Sequence, residues 1–311
     1  MVNKLIPFII ICFLGCTGTP GKTKLTPVID SEWWRICDMP DLGELQCPDP
    51  EKQHIVDHGF ILAANGKWQM WACIRGTAAG RLLYGWEGAS LETGPWKPLG
   101  VTARADSSFG EQVYPEESIQ APYFRKEGDE YLCFYNSNGI RIMTSSDGVH
   151  YVRKIIRDNN NLLYAEGGRD VMVMKEGETW FAYSTISTVA ADGWKSGFVI
   201  LRTSPDLVHW SDYTIVSSGG VGGNGHVSAE SPFVLKIDGY YYLFRASSIT
   251  FRTYVYRSET PWHFGVNDDS KLITEFPVKA PEIILFNGHY YISDLADWQG
   301  IKLARLKWIK D

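Results

Sequence analysis

Three carboxylates stand at related places in the chain. Asp57, Asp170 and Glu230 precede Gly66, Gly177 and Gly239 by nine, seven and nine residues, and each leads into an apolar run typical of a buried strand. Hydrophobic patterning gives no reason to put an acid there, and three occurrences point to chemistry rather than to solvated strand ends. One carboxylic acid can protonate a leaving oxygen while a carboxylate activates water or attacks carbon, the division of labour that cleaves a glycosidic bond. A third acid raises the proton donor's pKa by like-charge repulsion and can hold a sugar ring.

The elements that must position these acids repeat along the chain. HGFILAANGKWQMWACI, APYFRKEGDEYLCFYNS, DVMVMKEGETWFAYST, SPFVLKIDGYYYLFRAS and APEIILFNGHYYISDL share one pattern. Each is an apolar strand, a tight turn and an aromatic-rich strand, which together predict a β-hairpin. The turn glycines, Gly66, Gly128, Gly177, Gly239 and Gly288, lie 62, 49, 62 and 49 residues apart. Units of that length cannot bury their own faces singly and must stack. TSSDGVHY (144–151), TSPDLVHW (203–210) and RSETPWHF (257–264) recur between hairpins as outer-strand pieces. No stretch carries a capped helical stripe. The expected fold is all-β, a single five-bladed β-propeller over residues 31–311. A two-domain sandwich is the alternative, and it does not predict the repeat. In a propeller the innermost strands ring an axial channel, so residues that open them meet at one rim. Gln120 and Lys279 take the corresponding places in blades two and five.

The second strand of each hairpin should end at the same rim. Counting from the glycines reaches Arg75, Asn136, Thr185, Arg245 and Asp294. The expected substrate-binding set is Arg75, Gln120, Asn136, Arg169, His226, Arg245 and Trp298. The three arginines can equally serve as charge partners of the acids. His226 lies four residues before Glu230 in GGVGGNGHVSAE, a Gly-rich loop that leads into a strand and so is not a phosphate cradle. Trp86, Trp194 and Trp298 read as loop residues able to stack on a sugar, whereas Trp71, Trp180 and Tyr241 read as core.

Composition bounds these readings. The 311 residues are 44% hydrophobic, 14% aromatic and 21% charged, with a net charge of −6. That is a globular composition, not a disordered, collagen-like or coiled-coil one, and it disfavours nucleic acid as a partner. The chain opens MVNKLIPFIIICFLGC. The apolar run from Leu5 to Leu14 is too short to span a bilayer and fits a signal peptide. Phe13-Leu14-Gly15-Cys16 resembles the lipobox of bacterial lipoproteins. That resemblance implies a signal peptide over 1–16, lipidation at Cys16 and a polar tether over 17–30. The implied address is the periplasm or outer-membrane surface of a Gram-negative-type bacterium, with the protein lipid-anchored. Cys37 and Cys47 flank a loop that oxidation can close, while Cys73 and Cys133 sit in core-like runs. No Cys/His spacing suggests a metal.

From about residue 50 the chain resembles glycoside hydrolase family 43 and its five-bladed relatives, families 32 and 62. Arg169-Asp170 is similar to the Arg-Asp pair of the family 32 type. Glu230-Ser231-Pro232, followed by Gly239-Tyr240-Tyr241-Tyr242-Leu243-Phe244, resembles the family 43 acid strand. His58-Gly59 after Asp57 and Val171 after Asp170 depart from the proline common there. The resemblance implies Asp57 as base, Asp170 as pKa modulator and Glu230 as general acid. It further implies hydrolysis of α-L-arabinofuranosides or β-xylosides from plant-type saccharides, with inversion and no required cofactor. A structural calcium ion on the axis stays open, as do a non-catalytic glycan-binding propeller and a retaining fructosidase-like enzyme.

Overall fold

The computed structural model describes residues 22–47, 49–166 and 168–311; Cys16 and the expected signal segment lie outside them. Each hairpin becomes the two inner strands of one antiparallel sheet. Blade one runs His54–Leu62, Trp68–Thr77, Gly80–Gly88 and Lys97–Ala103 from axis to rim. Blade two is Gln120–Glu127, Glu130–Asn136, Ile140–Ser145 and Val152–Arg153, and blade three is Arg169–Glu176, Thr179–Val189, Lys195–Ser204 and Thr214–Ser217. Blade four is Glu230–Ile237, Tyr240–Ser247, Arg252–Ser258 and Leu272–Phe276. Blade five starts with Ile283–Phe286, His289–Asp294 and Gly300–Lys310.

Blade five is completed by the other end of the chain. Leu25–Ile29 and Trp34–Asp38 both pair with Gly300–Lys310, in the registers Leu25↔Lys310 and Trp34↔Leu303. The expected tether over 17–30 is therefore too long, because its second half is a blade strand. Pro27 suits that place, since an edge strand does not need every N–H for its ladder. Leu25 and Ile29 also pack on the largest core cluster. Deleting residues 22–30 removes five rungs of ladder, each worth about 0.5–1.5 kcal/mol net. The expected result in a thermal melt is a Tm lower by at least about 5 °C.

The core lies between blades. One cluster joins Tyr183, Phe233, Phe244 and Ile292 of blades three, four and five, and another joins Met70 and Trp86 of blade one to Ile301 and Leu303 of blade five. Trp71, Trp180 and Tyr241 are buried as expected. Trp86 is not a loop residue: it is buried in the third strand of blade one. Cys37 and Cys47 are free thiols rather than a disulfide. Cys37 is committed to the core opposite Ile301, where burial pushes its thiol up to about 12.

One irregularity recurs in all five blades. At or just before the inner strand, one residue adopts a left-handed backbone: Asp57 (φ 32°), Ala121 (53°), Asp170 (55°), Ser231 (43°) and Ala280 (46°). In the first four blades the register slips at that residue, as a β-bulge requires. None is glycine, so each costs about 1–2 kcal/mol of backbone strain. Strain retained at equivalent places around an axis singles this end of the channel out as a candidate site.

Candidate active site

The bulges aim two rings of side chains at one mouth of the axial channel. The bulge residues form the inner ring. The residues just before them, Val56, Gln120, Arg169, Glu230 and Lys279, form the outer ring. Asp57 and Asp170 are thus equivalent, but Glu230 stands one place earlier than they do, with Ser231 in the inner ring. All three acids line a pocket of about 280 Å³, shared with Arg75, Gln120, Arg169, His226 and Trp298. That is just below the usual range for drug-sized ligands and suits a single sugar ring.

A chain of contacts joins the acids. Arg169 Nη2 lies 3.2 Å from Glu230 Oε1, and Arg169 Nε lies 3.6 Å from Asp170 Oδ2. The same guanidinium donates to the His226 carbonyl at 2.6 Å and to Ser187 Oγ at 2.9 Å, which fixes its plane. Ser231 N, released from the ladder by the bulge, donates to Asp170 Oδ2 at 3.2 Å. Ser231 Oγ donates to Asp57 Oδ1 at 3.4 Å, and Ser248 Oγ to Glu230 Oε2 at 2.6 Å.

Burial first, then the charge of Asp170, raises the carboxyl of Glu230 above its ordinary range, against opposing contacts from Ser248 and Arg169. Asp57 is raised too, by burial, then by Asp170 and Glu230, with Arg81 and Arg169 opposing. Beneath it, Glu282 is driven up by burial and by the charge of Asp57, so it adds no full negative charge there. The free pocket therefore holds protons more tightly than ordinary carboxylates do. Asp170→Asn removes a repulsion felt by both Asp57 and Glu230. Its kcat/KM profile should move to lower pH on both limbs, measured on any substrate the wild type cleaves.

The far wall is aromatic and cationic. Ala296, Asp297 and Trp298 all take left-handed backbone, a tight turn that presents the indole to the pocket. Arg75 lies 5.0 Å over that ring, Lys279 lies 5.5 Å over it, and the Phe251 ring is 6.2 Å away. His54 accepts from Arg75 Nε at 3.3 Å; burial and Arg75 lower its pKa, which keeps it an acceptor.

Two expected binding residues sit elsewhere. Arg245 is 0% exposed and donates to Ser217 Oγ, the Gly219 carbonyl and Tyr256 Oη. Its neighbour Ala246 pairs with Glu230 and lines the pocket instead, because alternate residues of a strand face opposite sides. Asn136 lines an adjoining groove and not the acid pocket. Asp294 is engaged with the Lys279 amide and Lys302. Trp194 is 57% exposed at a hairpin tip and does not line the acid pocket.

Sequence reasoning missed Arg81, Ser231, Ser248 and Phe251, all of which line the pocket. Only Arg81 left a signal: the Gly76–Gly80 turn pairs Thr77 with Gly80 and returns Arg81 beside Arg75. The described side chains do not by themselves complete a calcium site on the axis. Asp57, Asp170 and Glu282 line the narrowing channel, but among the described residues no three His, Cys, Asp or Glu groups converge. Calcium takes about six to eight oxygens.

No protein-family model matches the chain, and no curated protein matches it. Solved structures do. A thermostable family-43 glycoside hydrolase aligns with TM-score 0.59 at 14% identity, over 83% of this chain and 90% of that one. A GH43 β-xylosidase/α-arabinofuranosidase from a compost microbial metagenome, solved with xylotriose, aligns with TM-score 0.58 at 14% identity over 86% and 96%. The Bombyx mori GH32 β-fructofuranosidase aligns with TM-score 0.57 at 15% identity over 82% and 62%. At such identities the likeness is one of fold: the chain is a five-bladed β-propeller of the architecture these structures share.

Proposed function

We propose that this protein is a glycoside hydrolase that removes a terminal pentose, as an α-L-arabinofuranoside or β-xyloside, from plant-type saccharides. The observation that carries the reading is the meeting of Asp57, Asp170 and Glu230, from three blades, in one sugar-sized pocket with Arg169 between two of them. Glu230, held protonated by burial and by Asp170, gives its proton to the leaving oxygen as the glycosidic bond breaks. Asp57, once ionised, takes a proton from a water that attacks the anomeric carbon on the opposite face, and the sugar leaves with inverted configuration. Asp170 and Arg169 stabilise the charge that develops on the ring and on Glu230. Sugar-bound relatives of the fold, including the one solved with xylotriose, support the substrate class.

A panel of 4-nitrophenyl glycosides, with β-xyloside and α-L-arabinofuranoside first, tests the reading. Proton NMR of the first product reads the stereochemistry. Binding of xylo- or arabino-oligosaccharides without turnover would make the propeller a glycan-binding module. Turnover of a β-fructofuranoside with retention would make it a fructosidase. We also propose lipid anchoring at Cys16. Cys16→Ala should move the protein from the membrane fraction to the soluble one or leave its precursor unprocessed.

A further inference from the structure

The chain enters the fold at the end of the propeller opposite the acids. Each inner strand starts beside the acid pocket and runs to its hairpin glycine, so Gly66, Gly128, Gly177, Gly239 and Gly288 share the other end. Lys22 lies against one of these turns. An added Cβ at Gly239 would stand 3.1 Å from Lys22 Cγ, and Lys22 Nζ lies 5.5 Å from the Tyr240 ring and 3.9 Å from Glu259 Oε2. The Leu25 amide donates to Tyr242 Oη at 3.2 Å and its carbonyl accepts from Arg257 at 3.1 Å, which fixes the point of entry. The eight residues Glu230–Ile237 set acid and turn about 23 Å apart in blade four. From Cys16 to Lys22 the chain can reach at most about 22 Å when fully extended. The turn end also carries exposed apolar side chains. Trp262, 47% exposed, follows the third strand of blade four and packs on Phe181 at 5.5 Å. Leu285, 58% exposed, precedes the Gly288 turn and lines a groove of about 600 Å³ with Leu62, Phe124, Phe233 and Phe286.

We infer that the turn end of the propeller rests on the lipid bilayer that holds Cys16, so that the acid pocket opens away from the membrane. A lipidated Cys16 lies at the bilayer surface. A link from Lys22 no longer than one strand is used up in reaching the level of the acids and leaves nothing to pass round the blade. The surface nearest the lipid is then the one that presents Trp262 and Leu285, and an indole suits a boundary between apolar and wet surroundings. The inference rests on lipid anchoring at Cys16 and is independent of what the acid pocket cleaves.

The test places a fluorophore at either end of the full-length, processed protein. Leu285→Cys and Glu178→Cys mark the turn end and Trp194→Cys the acid end, all at exposed positions that keep the fold safe. Each is made with Cys47→Ser, because the other described cysteines, Cys37, Cys73 and Cys133, are buried from the labelling reagent. The labelled proteins are joined to vesicles of phosphatidylethanolamine and phosphatidylglycerol that carry nitroxide headgroups, and flotation confirms that they are bound. The expected result is that the Leu285 and Glu178 positions lose at least about half their emission, and the Trp194 position, a strand length of about 23 Å further off, less than about a tenth. Equal quenching at both ends, or stronger quenching at Trp194, in protein that floats would overturn the orientation while leaving the anchor intact. Processed wild type that does not float, like Cys16→Ala, would remove the anchor and the orientation with it.

Discussion

Glu230→Gln should lose about 10²–10⁴ of kcat/KM on xylobiose or another natural glycoside, the usual worth of a general acid. The leaving sugar's alkoxide is strongly basic and cannot depart without the proton that Glu230 carries. Gln keeps the side chain's size, and it can still meet Ser248 and Arg169 through its amide, so the pocket should stay formed. A substrate whose leaving group needs no proton, such as a 2,4-dinitrophenyl glycoside or a glycosyl fluoride, should be cleaved within about tenfold of wild type, since no acid contribution is then lost. Side-by-side kinetics on the two substrate types check the assignment. Equal losses on both would show that Glu230 does something other than protonate the leaving oxygen.

Asp57→Asn should silence both substrate types by at least about 10³-fold, because water must be activated whatever leaves. The same substitution should change stability in the opposite sense. In the folded protein Asp57 holds its proton above the ordinary aspartate range, by burial and by the charges of Asp170 and Glu230. A carboxyl raised on folding contributes stability that is present below its unfolded pKa, about 3.9, and lost as pH rises through the folded value. Asn cannot ionise and escapes that loss. The variant should therefore melt higher than wild type at pH 8, by about 2–4 °C for each kcal/mol relieved, and close to wild type at pH 4. The raised pKa also sets the activity profile. The acid limb of wild-type kcat/KM should lie above the range of an unperturbed aspartate.

Five hairpins, their order and the blade that carries each acid were legible in the sequence, because a hairpin is a local object. Alternation on either side of a turn glycine such as Gly66 or Gly239 specifies it within about 20 residues, the length of two paired strands. The types of the acids followed from the same alignment, since no packing rule places Asp or Glu before an apolar strand. What tertiary structure alone decided begins where locality ends. Leu25–Ile29 joins a partner nearly the whole chain away, at Lys310, and no short-range pattern announces that pairing. The bulges at Asp57, Ala121, Asp170 and Ser231 each insert one residue and so break the count from the glycine. A one-residue slip reverses which face a side chain takes. That is why Glu230 belongs to the outer ring and why Ser231 supplies the amide that holds Asp170. The protonation of Asp57 could be set only by the assembled ring: the two acids that raise it, Asp170 and Glu230, come from other blades, and a carboxyl's pKa is a property of what surrounds it.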